Sequence, residues 1–471
     1  MIRVLILACG LSLISLSSAW AACTGSSPNW NAQAWSDVGT CISNASNGDT
    51  ITIAPGTFAG TSGTGIGTDG TGKYVTLQGS GTVPAQGAAT SGGTIIEVNS
   101  GPPYCCMVGI IESTTGNIRI RNITFRTDST KLMGQYGILL VGNRVAGGKQ
   151  VVFENLTFDL KDKWEFPGGQ HATVILDASA RSIISNSIFT GQAPPGPAYY
   201  TNRAAMRCPQ NTPLAAANWQ APPTYGAGDT NGASNLYFEG NRVEFYNDAL
   251  DHDDGCRLVV RYNTFTNSSP KGHGADSGYG ARHFEYYNNR FICAPGVLGS
   301  FSYWIFQRGG TGVVTENTFD HMDKTTCGYV PGGGVAMGAG IYRLTKALVG
   351  CWPPPFGYPV TRQIGWGWSG GGTTTQDGFR QDLEPTYFWN NTNNTDGDIV
   401  PGDSGVDTCG NQLHTADYYK QNREWYLSAK PGYVKYQYPH PLVQSAPLAA
   451  PSGPAPSSSG PPPSPSNLQV K

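Results

Sequence analysis

From Asp251 the chain reads Asp-His-Asp-Asp, three carboxylates and an imidazole in four positions. In an extended strand alternate side chains share a face, so Asp251 and Asp253 point one way, about 7 Å apart, and His252 the other. Two chemistries suit such a pair. One carboxyl, protonated, can donate to a glycosidic oxygen while the other activates water. Alternatively Asp251, Asp253 and Asp254 can hold a hard cation, Ca2+, that neutralises an acidic substrate while a nearby base removes a proton. The plainer reading is an acidic turn ending at Asp254-Gly255. Arg257, Arg261, Lys271 and Arg282 follow within one or two structural repeats, and Gly272-His273-Gly274 adds an imidazole. Ser277 has no acid–base company that would make it a nucleophile.

The elements that must position these residues are strands. Gly (63) and Pro (33) are abundant, which suits many short strands joined by tight turns. Apolar runs ending in Asn recur as "IRIRNITF", "VVFENLTF", "SIISNSIF", "LYFEGNRV", "LVVRYNTF", "FEYYNNRF" and "VVTENTF". Their asparagines are Asn122, Asn155, Asn186, Asn241, Asn263, Asn289 and Asn317, with gaps of 33, 31, 55, 22, 26 and 28 residues. A repeat of this length that cannot bury its own apolar face must stack on its neighbours, about 4.8 Å apart if strand pairs with strand. Asn tolerates the left-handed backbone of a bend and can bond its stacked equivalents.

Upstream, Trp35, Val38, Ile42 and Ala45 share one face of a short helix that ends at Asn47-Gly48. The helix followed by "GDTITIAPGTF" resembles the N-terminal cap and first coil of right-handed parallel β-helix proteins, the pectate-lyase-like superfamily. The resemblance implies an all-β solenoid with an N-terminal helical cap and an irregular C-terminal capping region. Asp253-Asp254 and Gly272-His273-Gly274, with "NDALD" before them, partly resemble the polygalacturonase-type hydrolases of family 28. Here, however, "ND" and "DD" are six residues apart, and no Arg-Ile-Lys follows. "YYNNRF" is similar to a strand of pectate and alginate lyases, whose "WIDH" string is absent. Such families imply binding and cleavage of an acidic extracellular polysaccharide, by β-elimination or hydrolysis. A non-catalytic adhesion or carbohydrate-binding protein on the same scaffold is the alternative.

Aligning three repeats on Asn241, Asn263 and Asn289 gives outward columns Asn235–Arg257–His283, Tyr237–Val259–Glu285 and Glu239–Arg261–Tyr287. These residues, with Lys271, are the candidate sugar-binding side chains. The expected catalytic set is Asp251, Asp253 and His273 in one groove with Arg257, Arg261 or Arg282. A cross-strand ion pair between Glu239 and Arg261 is the structural alternative. The loop rich in Pro, Gly and aromatic residues between Gly191 and Gly232 is a candidate groove wall. Trp366 and Trp368 could stack on sugar rings or close the end of the solenoid.

Charged residues are 13% of the chain and the net charge is −2, so a nucleic-acid partner is not expected. "MIRVLILACGLSLISLSSAWAA" reads as a secretory signal peptide, and no later segment is long and apolar enough to span a membrane. That places the protein in the periplasm or outside the cell, as a monomer, with ten of its 11 cysteines left for disulfides. The expected order is signal peptide (1–21), cap (22–49), solenoid (50–345), C-terminal capping region (346–442) and a disordered Pro/Ser/Ala-rich tail (443–471).

Overall fold

The computed structural model describes residues 23–67, 72–80, 93–98, 106–127, 137–142, 147–159, 171–176, 181–191, 203–208, 219–246, 248–253, 255–272, 280–293, 304–321, 335–338, 358–359, 362–374, 380–393, 401–402 and 418–445. His273, Asp254 and Ser277 lie outside them, as do the signal peptide and most of the tail.

Each repeat supplies one strand to each of three stacked parallel sheets, and the described residues form a parallel β-helix. One coil runs Arg257–Arg261, Thr264–Thr266, Pro270–Gly272, and the next begins at His283–Tyr287. The second and third sheets have ten strands each and the first has 13. Three extra strands account for the difference. Cys23–Ser26 and Asn29–Ala32 form a hairpin at one end, and Trp425–Tyr426 pairs at the other. The solenoid passes the boundary expected at 345, because Thr386–Trp389, Thr392–Asn393 and Pro401–Gly402 make a tenth coil. The Asn repeat hides this coil behind a long insertion before Asn391.

Alternation within the strands builds the core. The inward row of the first sheet is Ile51, Leu77, Ile120, Phe153, Ile184, Phe238, Val260, Tyr286, Val314 and Phe388, all buried. In the second sheet Phe125, Phe158 and Phe189 stack in one run, and Phe265, Phe291 and Phe319 in another. The helix Val38–Asn44, with Trp35 just before it, closes the N-terminal end, and Trp35, Val38, Ile42 and Ala45 are all buried. Cys23–Cys41 ties the hairpin to this helix. Cys106 and Cys293 are also in disulfides.

The bend between first and second strands has two positions, which the aligned asparagines had merged into one. Asn122, Asn155 and Asn186 occupy a left-handed position, shared by Gly240, Tyr262, Asn288, Glu316 and Asn390 in later coils. Asn241, Asn263, Asn289, Asn317 and Asn391 stand one residue later and form a hydrogen-bonded ladder. The backbone N–H of Asn263 donates to Asn289 Oδ1 at 3.1 Å, and that of Asn289 to Asn317 Oδ1 at 3.0 Å. Each ladder amide also donates to a carbonyl of the coil before it, as Asn289 does to Val260 at 2.9 Å. The ladder therefore satisfies main-chain groups at a corner where strand pairing is interrupted.

Candidate functional site

Arg203–Cys208, Asp248–His252 and Pro270–Gly272 are consecutive strands of the third sheet. Their register sets Arg207 beside Asp251 and Asp251 beside Lys271. Arg207 Nε lies 3.3 Å from Asp251 Oδ2, and its NH2 lies 3.3 Å from Asp253 Oδ2. One guanidinium thus bridges the two carboxylates that alternation puts on one face. All three groups are buried, whereas Lys271 is half-buried. The alternation holds on the opposite face too. His252 points inward, where Nε2 is 2.6 Å from Gln307 Oε1 and 3.3 Å from the Tyr286 hydroxyl. The Cys208–Cys256 disulfide pins the strand of Arg207 to the segment just after Asp253. Asp253 also makes an antiparallel bridge with Gly280.

The expected columns on the first sheet are present in the expected register, Tyr237–Val259–Glu285 and Glu239–Arg261–Tyr287, with Arg257 beside His283. What differs is their exposure. Arg257, Arg261, Arg282, Tyr237, Glu239, His283, Glu285 and Tyr287 are buried, and they bind other parts of the chain rather than line an open face. Arg257 donates to the carbonyls of Ala221 and Pro222, and Arg282 to the carbonyls of Trp219 and Ala221 and to both oxygens of Glu384. These two arginines hold residues 219–222, the described end of the loop expected to wall a groove. Glu285 accepts from Gly226 N, His283 Nε2 and the Tyr433 hydroxyl. Burial lowers the pKa of His283 despite Glu285, favouring the neutral ring.

The rest of the cover is a strap, residues 430–445, crossing the first sheet from the C-terminal coils back toward the N-terminal ones. Arg261 donates to Tyr436 O at 2.8 Å, and Glu239 accepts from His440 N at 2.9 Å. Glu154 accepts from the main chain of Gln444 and Ser445, and Arg119 donates to Leu442 O. Val152, Ile183, Tyr237, Val259 and Tyr287 form a second apolar cluster with Tyr436 of the strap, joined by Leu442 and Val443. The ordered chain thus extends past the tail boundary expected at 443. The anticipated Glu239–Arg261 ion pair exists, buried, at 2.8 Å from Nε. Trp366 is also buried and donates to Glu424, which suits closure of the end rather than sugar stacking.

Sequence reasoning missed Arg207. Its strand sits inside the 55-residue gap, in a stretch read as loop, and the only signal is the alternation of Met206 and Cys208 about it. Among the described residues no group of three His, Cys, Asp or Glu side chains is placed to hold a metal ion. At Asp251 and Asp253 the guanidinium of Arg207 bridges the two carboxylates. No helix among the described residues is long and apolar enough to cross a membrane. Compared with models of known protein families and with curated protein sequences, the chain matches none.

Proposed function

We propose that this protein is an exported member of the pectate-lyase-like superfamily that binds and cleaves an acidic polysaccharide at the third sheet, through Arg207, Asp251, Asp253 and Lys271. The observation that carries the reading is the row Arg207–Asp251–Lys271, with Asp253 sharing the same guanidinium. Buried charges concentrate at sites that meet charged ligands, and this chain has few charges to spare. The guanidinium of Arg207 lies between the two carboxylates, 3.3 Å from each, in the space that an inverting hydrolase leaves for its water. That counts against the inverting-hydrolase arrangement and for β-elimination, with Lys271, the member that reaches solvent, meeting the uronate. Disulfides in the cap and in the solenoid fit an oxidising compartment.

The second reading, a carbohydrate-binding protein without catalysis, is favoured by the internal pairing of so many outward charges. Incubation with pectin, alginate and glycosaminoglycans separates the two. Ultraviolet-absorbing unsaturated ends are expected, and Lys271→Ala should abolish them without unfolding the protein. New reducing ends without that absorbance would assign hydrolysis. Binding without cleavage would assign the second reading, and neither on any polymer would remove the carbohydrate reading.

A further inference from the structure

The strap grips the solenoid at places where the solenoid gives up local comfort to be gripped. Of the eight left-handed bend residues named above, six are Asn or Gly, and the exceptions are Tyr262 and Glu316. Both meet the strap: the Tyr262 ring stacks on Tyr438 at 3.8 Å, and Glu316 pairs with Lys435. Between and beside them, Asn288 accepts from Lys435 and Asn186 donates to Ser445. At Gly240 a Cβ would come within 3.2 Å of the Tyr438 hydroxyl. A bulky residue with positive φ is an outlier that asks for a compensating role.

His440 sits at the centre of the strap, 1% exposed. Its Nδ1 accepts the Leu442 N–H at 3.2 Å, and Nε2 lies 3.2 Å from Gly232 O, so the ring must be neutral with its proton on Nε2. Facing it are Tyr237, Glu239 and Arg261 from the first sheet, Asp229 and Gly232 from the adjoining loop, and Tyr436 from the strap itself. Asp229 is committed to Ala233, Ser234, Asn235 and Tyr237, and Glu239 to Arg261 and the His440 main chain, so neither carboxylate receives the imidazole.

We propose that residues 430–445 form a pH-sensitive clasp over the outer face of the first sheet, closed while His440 is neutral and released when it takes a second proton. Protonation at Nδ1 removes the acceptor of the Leu442 N–H and places two donors against each other. It also puts a cation near Arg261 beneath a sealed cover. Burial already lowers the imidazole from its ordinary 6.5 to about 4. The undocked strap therefore binds a proton that the docked strap refuses, and docking weakens as pH falls from 6.5 toward 4. Opening bares Arg119, Glu154, Glu239 and Arg261, a row of both signs running down the solenoid.

Hydrogen exchange on the full chain, followed by mass spectrometry, tests this. Strap amides (Leu442, Gln444, Ser445) are compared with Val260 in the core as protection factors, which remove the intrinsic pH dependence of exchange. The strap's opening constant should rise by up to about tenfold per pH unit on acidification across that window, while Val260 stays protected. His440→Gln should open more at neutral pH and show no such rise. A wild-type strap whose protection does not change with pH overturns the proposal. So does a His440→Gln protein that keeps the full acid response, since another group would then be the sensor. If His440→Gln does not dock at all, the wild-type series decides alone, with Tyr262→Asn as a weakened clasp whose acid response must persist.

Discussion

Two carboxylates and a guanidinium taken out of water together are tolerable, but the two carboxylates alone are far less so. Removing Arg207 leaves Asp251 and Asp253 facing one another in a buried site. Arg207→Met is therefore expected to cost about 3–5 kcal/mol in urea unfolding, in the range measured for broken buried pairs. Asp251→Asn keeps shape and an acceptor, so its stability loss should be smaller while product formation fails. Equal loss of stability from both would show a structural strut rather than a site. The asparagine ladder makes a similar argument with neutral groups. Asn289→Ala strips a partner from the Asn263 N–H and from Val260 O, and about 1–3 kcal/mol should be lost per orphaned group.

At the scale of the strand and its bend, Tyr262→Asn is the informative change. A left-handed backbone costs an ordinary L residue roughly 1–2 kcal/mol, and the aromatic pair with Tyr438 is worth about 0.5–1.5 kcal/mol. The terms nearly cancel, so global stability should stay within about 1 kcal/mol. Strap amides should nevertheless exchange faster, which thermal melting would not reveal and hydrogen exchange would.

The repeat was legible because each coil must bury one apolar row, and alternation marks that row in sequence. The split within the asparagines was legible too, although aligning on Asn concealed it. In Asn122-Ile-Thr-Phe125 the stacked ring comes three residues after Asn, but in Asn263-Thr-Phe265 it comes two after. Alignment on phenylalanine separates the left-handed position from the ladder. The strap was not legible as a cover, because it bonds and packs against residues far away in the chain. Tyr436, Tyr438, His440 and Leu442 alternate with exposed Gln437, Pro439 and Pro441, a pattern that marks the strap's inner side but not the sheet it covers. For the same reason Tyr237, Glu239, Arg261 and Tyr287 were placed in the right columns and expected to meet a sugar, when they meet the strap.

For the whole molecule, the N-terminal end depends on Asp49. Burial alone would raise its pKa, but hydrogen bonds from Trp30, Ser46 and Ser27 outweigh this and lower it below 3.8. A carboxylate lowered in the fold contributes stability that is complete above 3.8 and disappears as pH falls through its folded value. The cap should therefore hold through the range in which the strap is released and fray only in stronger acid, a sequence that Trp fluorescence and strap exchange can follow side by side. Loss of the Cys208–Cys256 bond should cost more than loss of Cys23–Cys41, about 4 against about 3 kcal/mol, since the closed loop is longer. The separations are 48 and 18 residues. Paired Cys→Ala variants in denaturant would measure the difference.

Gln444 reaches Glu154 across 290 residues of chain, and Leu442 reaches Arg119 across 323. Coils can assemble one upon the next, each contact spanning a few tens of residues, as soon as they leave the ribosome. The seam over them closes only when the last stretch arrives, because loop closure on that scale has nothing local to nucleate it. A chain growing from its N-terminus can therefore have its solenoid standing while its charged flank is still wet. Clasp release in acid would return it to a form available to it once before, on the way to being made.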